Sequence, residues 1–204
     1  MSGKKSFFSK LSDITNIHHR AAFTDVAKHT APKQSAFLRL ASERYSCRAF
    51  SNSPVTDSEL VSLLEAARLA PSAVNRQPVH IWVFKTPEAR EKLKEVTAYT
   101  FDAPIVILVA CKAEDAWVRK YDGKNSAETD AAIAGTHIMM EAASLGLGST
   151  WVASFDPLKL KQLFPQIDGW EPVALFPTGH PAPEATPSER HACRKPLELF
   201  ASEL

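Results

Sequence analysis

The chain has 204 residues, 45% hydrophobic and 23% charged, with a formal net charge of +1. That is one large domain or two small ones with enough length for a sizeable core, and no overall field to draw nucleic acid or an acidic membrane. Three widely spaced cysteines (Cys47, Cys111, Cys193) give neither a disulfide framework nor a zinc pattern and fit a reducing, cytoplasmic setting, and no apolar run approaches transmembrane length.

Residues 1–35 read as an N-terminal extension without the apolar core of a signal peptide. Phe7, Phe8, Leu11, Ile14 and Ile17 stand at helical spacing. A loosely ordered extension is expected there, because termini are usually poorly tied down. A helical arm packing on a partner subunit comes second, and a membrane-surface helix third.

The main domain is expected over 36–204. Phe37, Leu38 and Leu40 suggest a short helix before Arg44-Tyr45-Ser46-Cys47-Arg48-Ala49-Phe50. If that segment is extended, Arg44, Ser46 and Arg48 share a face, and their donors suit an anion with several oxygens. Solvated arginines at a helix end are the plainer alternative. Alternation turns Cys47 away, so it reads as packing.

Thr56, with Glu59 three residues on, predicts a capped helix with Leu60, Leu63, Leu64 and Ala67 as its stripe, ending before Pro71. Next comes Pro71-Ser72-Ala73-Val74-Asn75-Arg76-Gln77-Pro78, a polar loop. Its Ser72, Asn75 and Gln77 carry donors and acceptors that can read the edge of a planar heterocycle. A simple helix–strand connection has the same look.

A strand is expected over Val79–Phe84, a helix over 87–98 and a strand buried on both faces over 105–110. Residues 112–126 read as a loop or lid around Trp117 and Tyr121. A helix over 127–145 is apolar on most sides, so it should be buried, with Gly146 ending it. Further expectations are a strand over 149–154, a helix over Pro157–Leu163, a strand over 171–177, a proline-rich turn over 179–186, and a last strand or tail at 197–200. This order makes an α+β or α/β layered domain.

Gly146-Leu147-Gly148-Ser149-Thr150-Trp151 lets the backbone approach a ligand but lacks the dinucleotide fingerprint. Near the C-terminus, Arg194 and Lys195 are further phosphate candidates, with His191 a weaker one. The seven histidines show no metal-ligand spacing, so no metal site is expected.

Four segments in order, RxSxRxF, APSAxNxQP, an alanine-rich helix ending GLGSTW, and RKPLE, resemble the nitroreductase family of FMN-dependent oxidoreductases. The resemblance covers roughly 36–204. It implies an α+β nitroreductase-like sandwich, with a central, mostly antiparallel sheet surrounded by helices. It also implies an intertwined homodimer with FMN at the subunit interface and the sheet often completed by the partner's C-terminal segment. It places Arg44 and Ser46 at the FMN phosphate and ribityl chain and Arg48 at flavin N1 and the C2 carbonyl. Pro71, Ser72, Asn75 and Gln77 would come from the other subunit. The backbone of Trp151, Val152 and Ala153, extending toward Ser154, would line the ring with an N–H near N5. Arg194 would complete the phosphate site.

The implied activity is NAD(P)H-dependent: hydride passes through flavin N5 to a nitroaromatic, quinone or related small acceptor in a ping-pong cycle. No side chain need act as a base, because the cofactor does the chemistry. A flavin-binding redox sensor with little turnover, or a specialised flavoprotein, is the alternative. Val79 stands where many members of that family carry an aromatic residue, which implies a different cofactor-side wall or substrate pocket.

Overall fold

The structure, a computed structural model, describes residues 35–204. Its elements are α1 (Ala36–Glu43), α2 (Asp57–Arg68), β1 (Val79–Phe84), α3 (Pro87–Leu93), β2 (Ile105–Cys111), α4 (Ala127–Ser144), β3 (Gly148–Ser149), α5 (Pro157–Leu163), β4 (Glu171–Gly179) and α6 (Leu197–Phe200), with 3-10 turns at Ala73–Asn75 and Pro165–Ile167. The described residues fall into a larger unit, Leu40–Ser188, and a smaller one that takes in 35–39 and Glu189–Leu204. The helical spacing at residues 7–17 lies outside the described residues.

In the larger unit the strands pair antiparallel in the order β1-β2-β4-β3. β2 is interior and every residue in it is buried. Ile105, Ile107, Val109 and Cys111 enter the core on one face, while Val106 and Leu108 enter it on the other, as the two-residue period of a strand requires. β4 divides likewise, with Ala174 and Phe176 on the first face and Leu175 on the second. On the first face α2 and α4 add Leu63, Ala67, Ala131, Ala134 and Ile138. On the second, α3 and α5 add Leu93 and Leu160, joined by Phe164 and Ile167. The result is the expected α+β sandwich. Each large side chain so covered contributes about 1.5–3 kcal/mol of apolar transfer.

α2 starts as its sequence predicts. Thr56 Oγ1 accepts from the Glu59 N–H at 3.2 Å, and the Thr56 N–H donates to Glu59 Oε2 at 2.8 Å. That reciprocal pair satisfies two amides the helix cannot use itself. α4 buries Ala127, Asp130, Ala131, Ala134, Gly135, Ile138 and Ala142. Its other side is less covered among the described residues: Ala132, Ile133, Met139, Met140 and Ala143 are only half-buried. Gly146, at φ +74°, ends α4 in the left-handed form that glycine adopts without strain.

Three elements differ from expectation. α3 ends at Leu93 instead of running to 98: the N–H groups of Lys94 to Thr97 close tight turns onto Glu91, Lys92 and Leu93, and the segment before α5 then holds Val96 and Thr97. The Val96 carbonyl accepts from the Asp156 N–H, and the Thr97 hydroxyl donates to the Ser154 carbonyl. β3 is two residues, not six. Its register with β4 would put Thr150 opposite Pro177, which has no N–H to complete the ladder. Pairing resumes once, at Val152 and Leu175. In the smaller unit, Leu197–Phe200 is a single helical turn rather than a strand.

Candidate functional site

Segment 44–50 is extended and stitched to the sheet by backbone bonds. Ser46 forms a parallel bridge with Ser149, and the Cys47 N–H donates to the Ser149 carbonyl at 3.1 Å. Further along, the Ala182 N–H donates to Ala49 O at 3.0 Å, and the Ser51 N–H to His180 O at 2.9 Å. Cys47 is fully buried, as expected of a packing residue, while Arg44, Tyr45 and Ser46 are half-buried and Arg48 is exposed. A Cβ on Gly148 would stand 2.6 Å from both Cβ and Sγ of Cys47. Only glycine lets β3 come this close to the arginine segment.

Arg48 Nη1 donates to the Ser46 carbonyl at 3.1 Å, which folds the guanidinium back along its own strand. The Tyr45 hydroxyl donates to Ala185 O. Burial, and then the neighbouring Cys47, raise that phenol above its ordinary value. A cavity of about 160 Å³ opens here, lined by Arg44, Tyr45, Met139, Ala143, Gly148 and Ser149 among others.

The continuation of β3 is partly committed. The Trp151 ring meets Phe176 edge-on at 5.0 Å. The Val152 N–H donates to Leu175 O at 2.9 Å and its carbonyl accepts from the Leu175 N–H at 2.9 Å. The Val152 amide is therefore spent in the sheet, and the flanking amides of Trp151 and Ala153 are the ones that can face a ligand.

The loop after α2 is built differently. Val74, Asn75 and Gln77 have φ of 45°, 57° and 54°. Left-handed geometry at a residue other than glycine is strained by roughly 1–3 kcal/mol and persists only where neighbours enforce it. The neighbours are visible. Ser72 Oγ accepts from the Gln77 N–H at 2.9 Å, and Gln77 Nε2 donates to Asn75 O at 3.2 Å. The Ala73 N–H donates to Asp130 Oδ1 at 3.0 Å, and Ser126 Oγ donates to Asp130 Oδ2 at 2.9 Å. Ser72 is half-buried, while Pro71, Asn75 and Gln77 are exposed. A second cavity, about 360 Å³, is lined by Leu64, Pro71, Ser72, Gln77, Asp130 and Ala134 among others.

Asp130 is 3% exposed and was not singled out from sequence, where an acid near a helix start reads as complementing the dipole. Its phase was the available signal: Asp130, Ala134 and Ile138 step by four along one apolar stripe.

One chain thus joins the arginine segment to Gly148 and Ser149 but leaves Ser72 and Gln77 on a separate cavity. Asp130 and Ala134 line one cavity, Met139 and Ala143 the other. At about 100° per residue these pairs lie on opposite sides of α4. Arg194 lies in the smaller unit with His191 and Lys195; its Nη1 donates to the Cys193 carbonyl at 2.8 Å. Among the described residues no cluster of three or more His, Cys, Asp or Glu could hold a metal, and no helix is long and apolar enough to cross a membrane.

The sequence model described as the Nitroreductase family matches residues 41–101 and 98–180. A "Putative NADH dehydrogenase/NAD(P)H nitroreductase" of Methanothermobacter thermautotrophicus is 32% identical over 152 residues, 68% of this chain and 74% of its own length. A solved nitroreductase family protein from Clostridium difficile is 36% identical with a TM-score of 0.74, over 80% of this chain and 95% of that one. A Desulfovibrio desulfuricans structure, described as a putative nitroreductase in complex with FMN, is 25% identical with a TM-score of 0.68, over 84% and 98%.

Proposed function

The chain belongs to the nitroreductase family of oxidoreductases, and from that premise we propose that it is an FMN-dependent enzyme taking reducing equivalents from NAD(P)H. Its acceptor would be a small molecule such as a nitroaromatic or quinone, reduced in a ping-pong cycle. The observation that carries this reading is the stitching of Arg44, Ser46 and Arg48 to the glycine-rich strand through Ser46 and Ser149. Alternation along that segment would bring two cations and a hydroxyl to one face beside amides that can approach a planar ring. Bound FMN would supply the electron-transfer chemistry.

The donor set fits that group. Arg44 and Ser46, half-buried on a rigid strand, would hold the phosphate and ribityl end. Arg48 would offset negative charge at the pyrimidine edge of the ring, a role worth about 2.7–4 kcal/mol for a preorganised donor. The amides of Trp151 and Ala153 would orient the ring. Arg194 is the residue the resemblance adds for the phosphate, and Arg194→Ala tests it by FMN titration.

The site would be shared between two copies. A 160 Å³ cavity is small against the roughly 300–1,000 Å³ of small-molecule pockets, and Ser72, Asn75 and Gln77 open elsewhere. The half-buried Ala132, Ile133, Met139, Met140 and Ala143 of α4 give an apolar surface that a second copy would cover.

The decisive test starts with FMN titration of the purified protein, followed by anaerobic addition of NADH or NADPH and then an acceptor screen. A chain that takes up no FMN sinks the reading. One that bleaches yet reduces no acceptor is a sensor instead. An FMN-loaded monomer in sedimentation overturns the shared site.

A further inference from the structure

The acid that no motif pointed to stands at the junction of two regions. Asp130 lines the 360 Å³ cavity under the loop at 72–77. It also lines a third cavity of about 370 Å³, bordered by Ala73, Trp117, Arg119, Lys124 and Ile133. Its two oxygens take one donor from each side: the Ala73 N–H from the loop, and the hydroxyl of Ser126 from the end of segment 112–126. Ser126 is the N-cap residue of α4, yet its side chain makes no cap bond; its hydroxyl goes to Asp130 instead.

A carboxylate 3% exposed and held by two neutral donors is costly to retain unless those bonds do something. Here they fall on a backbone that needs restraint. Ala73 immediately precedes the left-handed pair Val74 and Asn75, and its N–H is fixed by nothing in its own loop. Segment 112–126 is itself closed at its base. Asn125 Nδ2 donates to Ala113 O at 2.9 Å, and Asn125 Oδ1 accepts from the Ala127 N–H at 2.9 Å. A displacement of Ser126 therefore moves with that whole segment.

We propose that Asp130 is the positioning residue of the site: it clamps the loop at 72–77 in its strained, ligand-presenting form and locks it to the segment carrying Trp117, Arg119 and Lys124. This rests on the flavin reading above for what the loop presents, but not for the clamp itself. The cofactor-contacting loop and the wall of the neighbouring cavity are then set by one side chain, and neither can shift alone.

The test compares Asp130→Ala and Asp130→Asn with the parent protein by FMN titration and by trypsin cleavage after exposed Arg76, with and without FMN. Asp130→Ala is expected to weaken FMN about tenfold or more, the scale seen when a supporting hydrogen bond is removed. It should also speed cleavage after Arg76 about fivefold without FMN, through local opening. Asp130→Asn keeps an oxygen for the Ala73 N–H and an amide for Ser126, so it should stay within about threefold of the parent on both measures. Cleavage of Asp130→Ala at the parent rate, or an Asp130→Asn as impaired as Asp130→Ala, overturns the proposal. If the parent binds no FMN, the flavin reading fails while the cleavage comparison still decides the clamp. If Asp130→Ala does not fold, Ser126→Ala takes its place: faster cleavage after Arg76 supports the clamp, and an unchanged rate overturns it.

Discussion

Segment 44–50 owes its shape to backbone hydrogen bonds with β3 and with the residues just after β4, whereas the loop at 71–78 owes its shape to side chains. In the first, Cys47, Ala49 and Ser51 all bond main chain to main chain, and Cys47 packs flat against Gly148. In the second, Ser72, Gln77 and Asp130 hold three residues in left-handed conformations. A ladder-bound strand tolerates substitution of outward side chains because its frame does not depend on them. A loop clamped by side chains does not, since removing one clamp releases strain already stored. The two halves of the proposed site should therefore break in different ways.

The largest effect is expected at the close approach. Gly148→Ala puts a methyl 2.6 Å from Cys47 Cβ and Sγ, so the strand must move away from segment 44–50. Overpacking of this kind destabilises by about 1–3 kcal/mol, and FMN retention should fall with it. Urea unfolding measures the first and titration the second. A Gly148→Ala protein with the parent midpoint and affinity would show that β3 does not set the arginine segment.

Next come the arginines, where frame and ligand contact separate. Arg44→Ala should leave the unfolding midpoint near the parent value and weaken FMN by about 1.5–3 kcal/mol, the range for a hydrogen bond to a charged group. Arg48→Ala should slow flavin reduction by NAD(P)H more than it weakens FMN, as read in stopped-flow absorbance. The reverse pattern exchanges the two roles.

These halves were also unequally legible. The packing of Cys47 beside exposed Arg48, the Thr56–Glu59 cap and the apolar run of β2 are local patterns, and the structure bears each of them out. What stayed hidden depends on distant partners. The left-handed residues at 74, 75 and 77 carry no glycine to announce them, because Asp130, far along the chain, supplies the restraint. β3 looked like a six-residue strand because its own residues suit one; the interruption comes from Pro177 on the facing strand. Local preference is written in the element itself, while tertiary override is written in its neighbour.

A smaller effect probes the strain directly. Val74 is β-branched at φ 45°, a conformation that such residues avoid. Val74→Gly should stabilise the protein by up to about 1 kcal/mol, the relief of strain being partly offset by the entropy of the unfolded glycine chain. A drop in stability would show that the Val74 side chain, 71% exposed, makes a contact that outweighs its strain.

The smallest effect lies where the two regions share a support. Glu59 caps the start of α2, whose far end feeds the loop, and its Oε1 lies 3.6 Å from Nε2 of His180, whose carbonyl holds Ser51. The Thr56 N–H, then its hydroxyl, and to a lesser degree His180, hold the Glu59 carboxyl below its ordinary range. A carboxylate lowered in the folded state adds stability above the unfolded value, about 4.3. That stability is lost as pH falls below it, through the folded value. Glu59→Gln should therefore be less stable than the parent at neutral pH, with the gap closing in acid. Thr56→Ala keeps the backbone N–H and removes only the hydroxyl, which still outranks His180 among the causes, so it should flatten the pH dependence in part and by more than His180→Ala does. If His180→Ala flattens it more, the link between the regions runs through that ion pair rather than through the helix cap.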